Sequence, residues 1–535
     1  MTILSYAHGT STEPLLGTTI GAHLRLAADR FGDREALVDL PSGTRWTYRE
    51  LDDRVDVAAR ALLALGVGKG DRVGIWARNR PEWMLVHYAT ARIGAILVMI
   101  NPAYRTDELR YVLRQAGVGV LIAAEEYRPM VDEARQHQAV FFGAGWAELL
   151  DRAALPAALA ARERELSCDD PITIQYTSGT TGFPKGATLS HHNVLNNGFF
   201  VGQRQGWSAA DRVCVPVPFY HCFGSVIGTL AAMTHGACVV VPAPSFDPRA
   251  TLAAVEQERC TTLYGVPTMF IAELAEPSFG EYDLSSLRTG IMAGSPCPVE
   301  VMKRVVTEMN MTEVTICYGM TETSPVATQS RREDDLSRRV STVGTPLPHV
   351  EVKIVDPVTG LTVPRGEPGE FCTRGYSVML GYWDLPERTA EAVDAARWMH
   401  TGDLAVMDEA GYVNIVGRLK DVVIRGGENI YPTEIEEFLH THPDILDVQV
   451  IGIPDAHYGE EVMAWVVPRA GAESPTAATL RAFCAGRLAS YKIPRYVKVV
   501  DAFPLTVTGK IRKVEMREQS VRELGLEEVA AARTA

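Results

Sequence analysis

Tyr176-Thr-Ser-Gly-Thr-Thr-Gly-Phe-Pro-Lys185-Gly-Ala187 follows, after Gln175, the apolar segment 172–174. It places two Gly and four Ser/Thr hydroxyls between a predicted strand and a lysine, with a third Gly just after the lysine. Gly lets backbone N–H groups turn toward an anion, hydroxyls add donors, and lysine adds charge. That combination suits a polyphosphate. It is not a Walker A loop, which needs Gly-Lys-Ser/Thr opening a helix; here Pro184 precedes Lys185. A solvated Ser/Thr/Gly linker has the same composition but seldom runs in this order from a strand into a lysine.

Outward from this loop, strands and helices alternate. Residues 46–65 read as an amphipathic helix entered by a capping box, Thr47 with Glu50. Residues 72–76 and 95–100 read as buried strands around a helix at 83–94, and 212–217, 238–241 and 262–265 as further strands. This alternation predicts an α/β chain with parallel sheets and βαβ crossovers. After about residue 340 the rhythm changes to short strands at 350–355, 369–373, 413–416 and 422–425, then a helix at 432–440. A domain boundary is placed near 418–420.

The chain has 535 residues, with 52 Lys plus Arg against 66 Asp plus Glu, a net charge of −14. So acidic a chain repels a nucleic-acid backbone, which excludes nucleic acid as a general partner. The nine cysteines contain no C-x-x-C pair and no zinc-like spacing, so they read as reduced thiols. The N-terminus lacks a signal-peptide pattern, and no apolar run approaches the ~20 residues of a membrane helix. The expectation is a soluble cytoplasmic protein without a membrane span.

Further motifs stand in order along the chain. They are Tyr318-Gly-Met-Thr-Glu322-Thr, Thr401-Gly-Asp403, Gly417-Arg418-Leu-Lys420-Asp and Pro504-Leu-Thr-Val-Thr-Gly-Lys510. With the phosphate loop, this series resembles the acyl-adenylate-forming superfamily of AMP-binding enzymes. It resembles most the medium-chain and fatty acyl-CoA synthetases of the acyl-CoA synthetase family member 2 type, through Pro218-Phe-Tyr-His-Cys222 and Ala293-Gly-Ser-Pro296 as well. The resemblance implies a large N-terminal domain, 1–417, of layered parallel sheets with a small β-barrel-like subdomain. A small α+β domain, 418–535, would follow through a hinge at Lys420.

The resemblance also assigns roles. Thr177, Ser178, Gly179, Thr180, Thr181, Gly182 and Lys185 would hold the ATP phosphates, and Glu322 the Mg2+ that bridges them. Tyr318 would stack on adenine opposite Gly294, Ser295 and Pro296, with Gly319, Met320 and Thr321 beside it. Asp403 and Arg418 would bind the ribose. Lys510 would bridge the substrate carboxylate and the α-phosphate. His221 would lie beside that carboxylate, in a pocket with Gly224, Gly228, Ala293, Gly294 and Gly319.

Coenzyme A is the expected acyl acceptor, with Arg425, Gly426, Gly427, Lys492 and Arg495 at its site. From Arg487 to Lys513 there are seven basic residues against one acid, Asp501, a basic stretch suited to the CoA phosphates. Aryl-acid CoA ligases and ligases that load an acyl carrier protein share these motifs. The 25 residues after Lys510 are too few for a fused carrier domain. Finally, Gly224, Gly228, Ala231 and Ala232 fall at i, i+4, i+7 and i+8 of an expected helix at 222–233. That bare face predicts a narrow groove for an alkyl chain, or close helix packing.

Overall fold

Short Val/Ile/Leu runs bounded by Gly, Asp and Pro become strands buried on both faces, as parallel strands require. In the computed structural model, which describes residues 3–134, 138–177, 184–426, 428–505 and 511–534, they form two large sheets. The first has seven strands, in the order Gly381–Tyr382, Lys185–Ser190, Pro171–Thr177, Ile96–Met99, Arg72–Trp76, Val120–Ala123 and Ala139–Phe141. It is parallel from Pro171–Thr177 outward. Lys185–Ser190 folds back antiparallel on Pro171–Thr177, so Lys185 sits opposite Thr177 at the mouth of a hairpin. The capping box at Thr47 and Glu50 opens the helix Tyr48–Ala64.

The second sheet has nine strands. Its interior runs Glu313–Tyr318, Thr289–Met292, Thr262–Gly265, Arg212–Cys214, Cys238–Val241 and Glu35–Asp39, all parallel. Its edges are antiparallel, so the sheets are mixed rather than wholly parallel. A third, half-barrel sheet is antiparallel throughout: Tyr6–His8, Val350–Val355, Gly369–Gly375, Met399–Met407 and Val413–Arg418. The fourth sheet begins at Val423 and packs the helices Pro432–Leu439 and Lys513–Glu523 around its own apolar clusters. No helix among the described residues is long and apolar enough to cross a membrane.

One expectation is corrected. Residues 222–233 do not form a regular α-helix: Cys222–Gly224 and Ala231–His235 are α-helical, and Ser225–Leu230 between them is a π-helix. The i→i+5 pattern breaks the spacing that aligned the small residues on one face. They meet separate neighbours instead. A Cβ on Gly224 would lie 2.3 Å from the Pro218 carbonyl oxygen, and one on Gly228 would lie 3.1 Å from Val215 Cγ1. A Cβ on Gly198 would lie 3.0 Å from the Ala231 nitrogen. At Gly224 and Gly228 the missing side chains therefore permit close packing against Pro218 and Val215.

Candidate active site

In the second sheet, Thr289–Met292 and Glu313–Tyr318 are parallel neighbours, with Met292 beside Ile316. Their C-terminal ends release Ala293–Pro296 and Tyr318–Thr321 side by side, where ligands of parallel sheets bind. Ala293 is buried, Ser295 half-buried, and Gly294 and Pro296 exposed; Gly294 adopts φ +94°. Gly319 has no room for a side chain, since a Cβ would lie 1.9 Å from the Pro325 oxygen. Met320 is half-buried and donates its N–H to Thr323 Oγ1 at 2.9 Å, holding the Thr321–Thr323 turn that carries Glu322.

Glu322 is 3% exposed. Its Oε1 accepts hydrogen bonds from Tyr382 Oη at 2.8 Å and Thr177 Oγ1 at 3.3 Å. Lys185 Nζ stands 4.3 Å from the centroid of the Tyr382 ring. Burial, and then the adjacent Glu322 charge, hold the Tyr382 hydroxyl well above its ordinary range, so it serves as a neutral donor. Among the described residues the partners of Glu322 are hydroxyls, not a cation. A buried carboxylate so placed suits a metal ion, and Mg2+ with its oxygen preference fits this donor set. Tyr382 escaped the sequence reading. It belongs to a two-residue edge strand, and only its pairing with Lys185–Ser190 brings it to this corner.

Asp403, 8% exposed, lies on the half-barrel strand facing Arg418. Its Oδ1 is 3.0 Å from Arg418 Nε and its Oδ2 accepts from Tyr318 Oη at 2.6 Å. Burial, then the Asp403 charge, keep the Tyr318 phenol neutral far above its usual range. The Tyr318 ring also meets Phe371 edge-on, 4.9 Å between centroids.

His221 precedes the short helix and accepts the Phe223 N–H on Nδ1 at 3.1 Å, so a neutral ring carries its proton on Nε2. Cys222 Sγ is 3.8 Å from Thr321 Oγ1, which sets the His221 turn against the Glu322 turn. Thr177, Lys185, His221, Thr321 and Glu322 are thus joined through these contacts, and Asp403 and Arg418 meet Tyr318 on the same strand end that leads into Thr321. Ser178, Gly179, Thr180, Thr181, Gly182, Gly427 and Lys510 lie outside the described residues.

The small domain modifies one inference from composition. Lys492 pairs with Glu434 at 2.6 Å, Arg495 with Asp455 at 3.2 Å, and Lys498 with Glu523 at 2.6 Å. Arg512 and Lys513 pair with Glu515 and Glu436, each at 2.6 Å. Arg425 pairs with Glu461 at 2.8 Å and lies over the Tyr458 ring. The basic stretch is therefore largely neutralised by acids from elsewhere in the domain. Gly426, at φ +60°, donates its N–H to the Tyr458 oxygen at 2.8 Å. Lys420 occupies the turn between Val413–Arg418 and Val423–Arg425, where Leu419 N–H bonds the Gly402 oxygen at 2.9 Å.

Residues 24–383 match the AMP-binding enzyme family and residues 434–510 its C-terminal domain, and the chain belongs to this family. It is 48% identical to YngI of Bacillus subtilis (strain 168), over 96% of this chain and 99% of the relative. To the mitochondrial medium-chain acyl-CoA ligase ACSF2 of Danio rerio it is 43% identical, over 98% of this chain and 91% of the relative. Among solved structures, ATP-bound MatB from Rhodopseudomonas palustris is 31% identical with a TM-score of 0.85, covering 94% of this chain and 99% of that one. The anthranilate CoA ligase AuaEII with anthranoyl-AMP is 26% identical with a TM-score of 0.86, covering 95% of this chain and 98% of that one.

Proposed function

We infer that this AMP-binding enzyme is an ATP-dependent acyl-CoA synthetase: it joins an organic acid to AMP with release of pyrophosphate, then transfers the acyl group to coenzyme A. The observation that carries the reading is a pair of side-chain clusters at the two ends of the segment from Tyr318 to Glu322. Thr177, Lys185 and buried Glu322 stand at one end, and Tyr318, Asp403 and Arg418 at the other.

The acid arrives ionised, so its attack on the α-phosphate needs no general base. The barrier lies in charge building on the phosphoryl oxygens, which positioned cations and N–H donors offset. Lys185 and the hydroxyls of the 177–182 loop meet the β- and γ-phosphates, and Lys510 meets the α-phosphate and the acid. Glu322 would hold Mg2+, which would supply further charge neutralisation. Asp403 accepts from the ribose hydroxyls beside Arg418, and Tyr318 stacks on adenine against Gly294, Ser295 and Pro296. His221 presents Nε2–H to the acid.

The acid we propose is a medium-chain fatty acid, supported by full-length similarity to the ACSF2 ligases. An aryl acid is the second reading, supported by the fold likeness to AuaEII. Pyrophosphate release measured against straight-chain and aromatic acids, with and without CoA, separates them. Highest efficiency on an aliphatic acid of intermediate length, with CoA-dependent turnover, is expected. Preference for benzoate-type acids overturns the substrate, and CoA-independent turnover with a carrier protein overturns the acceptor. The setting we propose is the cytoplasm, where its thiols stay reduced.

We also propose that residues 1–417 and 418–535 are separate bodies and that the small one rotates about Lys420 between the two half-reactions. Lys420→Pro fixes φ in the turn and restricts Leu419. It is expected to form acyl-AMP near the normal rate but to transfer the acyl group to CoA at least tenfold more slowly. Equal loss in both steps rules the hinge out. Tyr382→Phe removes the hydroxyl from Glu322 while keeping the ring beneath Lys185. A hydrogen bond to a charged group is worth ~1.5–3 kcal/mol, so KM for Mg·ATP should rise about tenfold or more. An unchanged KM dismisses the contact.

A further inference from the structure

The residues Thr401, Gly402 and Asp403 form a bulge in the half-barrel. On the neighbouring strand Glu370 pairs with Leu404 and Cys372 with His400, so only Phe371 stands opposite these three residues. A bulge re-aims side chains and leaves backbone groups without ladder partners. Here those groups are taken up locally. Gly402, at φ +71°, donates its N–H to Glu370 Oε1 at 3.0 Å. Thr401 Oγ1 donates to the Phe371 oxygen at 2.7 Å and accepts from Asp403 N–H at 3.2 Å. The second oxygen of Glu370, itself 8% exposed, accepts from His400 Nδ1 at 2.9 Å. His400 Nε2 lies 3.8 Å from Asp394 Oδ2, and Nδ1 lies 3.5 Å from Cys372 Sγ.

We propose that Glu370 and His400 are positioning residues: their pair holds the bulge in the shape that presents Asp403 to the nucleotide ribose. The inference rests on the reading of Asp403 as the ribose acceptor. Neither side chain touches the nucleotide in this arrangement; both act through the Gly402 amide. The contacts with Cys372 and Glu370 raise the pKa of the His400 ring to about 10, so its Nδ1 carries a proton toward the Glu370 oxygen. One carboxylate then fixes both the backbone of the bulge and the flank of its strand. Without it the Gly402 N–H loses its acceptor, and the left-handed turn loses the bond that selects it over an ordinary strand.

The test compares ATP with 2′-deoxy-ATP as nucleotide substrates for the full-length enzyme. For Glu370→Ala, KM for ATP should rise about 10–100-fold while kcat changes less, as expected for a lost charged hydrogen bond. The loss on 2′-deoxy-ATP should be smaller, so the preference for ATP collapses toward unity. Glu370→Gln, which keeps an acceptor for Gly402, should recover part of that preference, and His400→Gln should fall between it and wild type. Direct calorimetry of ATP binding should follow the same order. A defect of equal size on both nucleotides, or none, overturns the proposal. If Glu370→Ala fails to fold, the Glu370→Gln and His400→Gln preferences decide by the same criterion. Asp403→Asn separates the two layers. If it leaves the ATP preference intact, the ribose reading fails. If it abolishes the preference while the Glu370 and His400 variants retain it, only the positioning role fails.

Discussion

Lys510→Ala should slow acyl-adenylate formation by roughly 10²–10³-fold or more, the scale of losing one preorganised charge stabiliser. Transfer to CoA from supplied acyl-AMP should be nearly unaffected, because that step no longer develops charge between the acid and the α-phosphate. Described residues tie the ends of the segment carrying Lys510: Leu505 bridges Ile511, and Arg512 N–H bonds the Pro504 oxygen at 2.9 Å. An alanine at 510 leaves those contacts alone, so the variant should fold. Single-turnover pyrophosphate release, with acyl-AMP thiolysis assayed in parallel, measures the split. Near-normal pyrophosphate release would remove Lys510 from the chemistry.

The second large effect belongs to Asp403→Ala. The substitution removes the acceptor of the Tyr318 hydroxyl and the counter-ion of Arg418 together. It also removes the proposed acceptor of the ribose hydroxyls, at ~1.5–3 kcal/mol for each hydrogen bond to a charged group. KM for ATP should rise about 100-fold or more, as 1.4 kcal/mol corresponds to a factor of about ten. Calorimetry should show ATP affinity falling in step, with affinity for the free acid little changed. Retention of ATP affinity within a factor of about two would show that Asp403 supports only the half-barrel.

The strands Cys238–Val241, Thr262–Gly265 and Val350–Val355 were readable because each is a β-branched or aromatic run closed by turn residues. Thr47 and Glu50 were readable because a capping box is a local device. What was not legible depends on contacts across the chain. Tyr6–His8 is three residues long and becomes a strand only by pairing with Val350–Val355. Tyr382 reaches Glu322 from 60 residues away in sequence. The Thr401–Asp403 bulge is defined by the flanking pairs Glu370–Leu404 and Cys372–His400, which no local period encodes. The π-helix at Ser225–Leu230 defeated a face drawn at the α-helical angle.

The ion pairs within the small domain have a mechanical consequence. Arg425, Lys492, Arg495, Lys498, Arg512 and Lys513 each carry their counter-ion with them, on Glu461, Glu434, Asp455, Glu523, Glu515 and Glu436. If this body swivels on Lys420, none of these pairs is sheared; the Val299 N–H bond to Glu437 Oε2, at 3.4 Å, is a contact that would have to part. Its swivelling rate should then be almost indifferent to ionic strength, while the encounter with a polyanionic thiol remains subject to screening within about 8–10 Å.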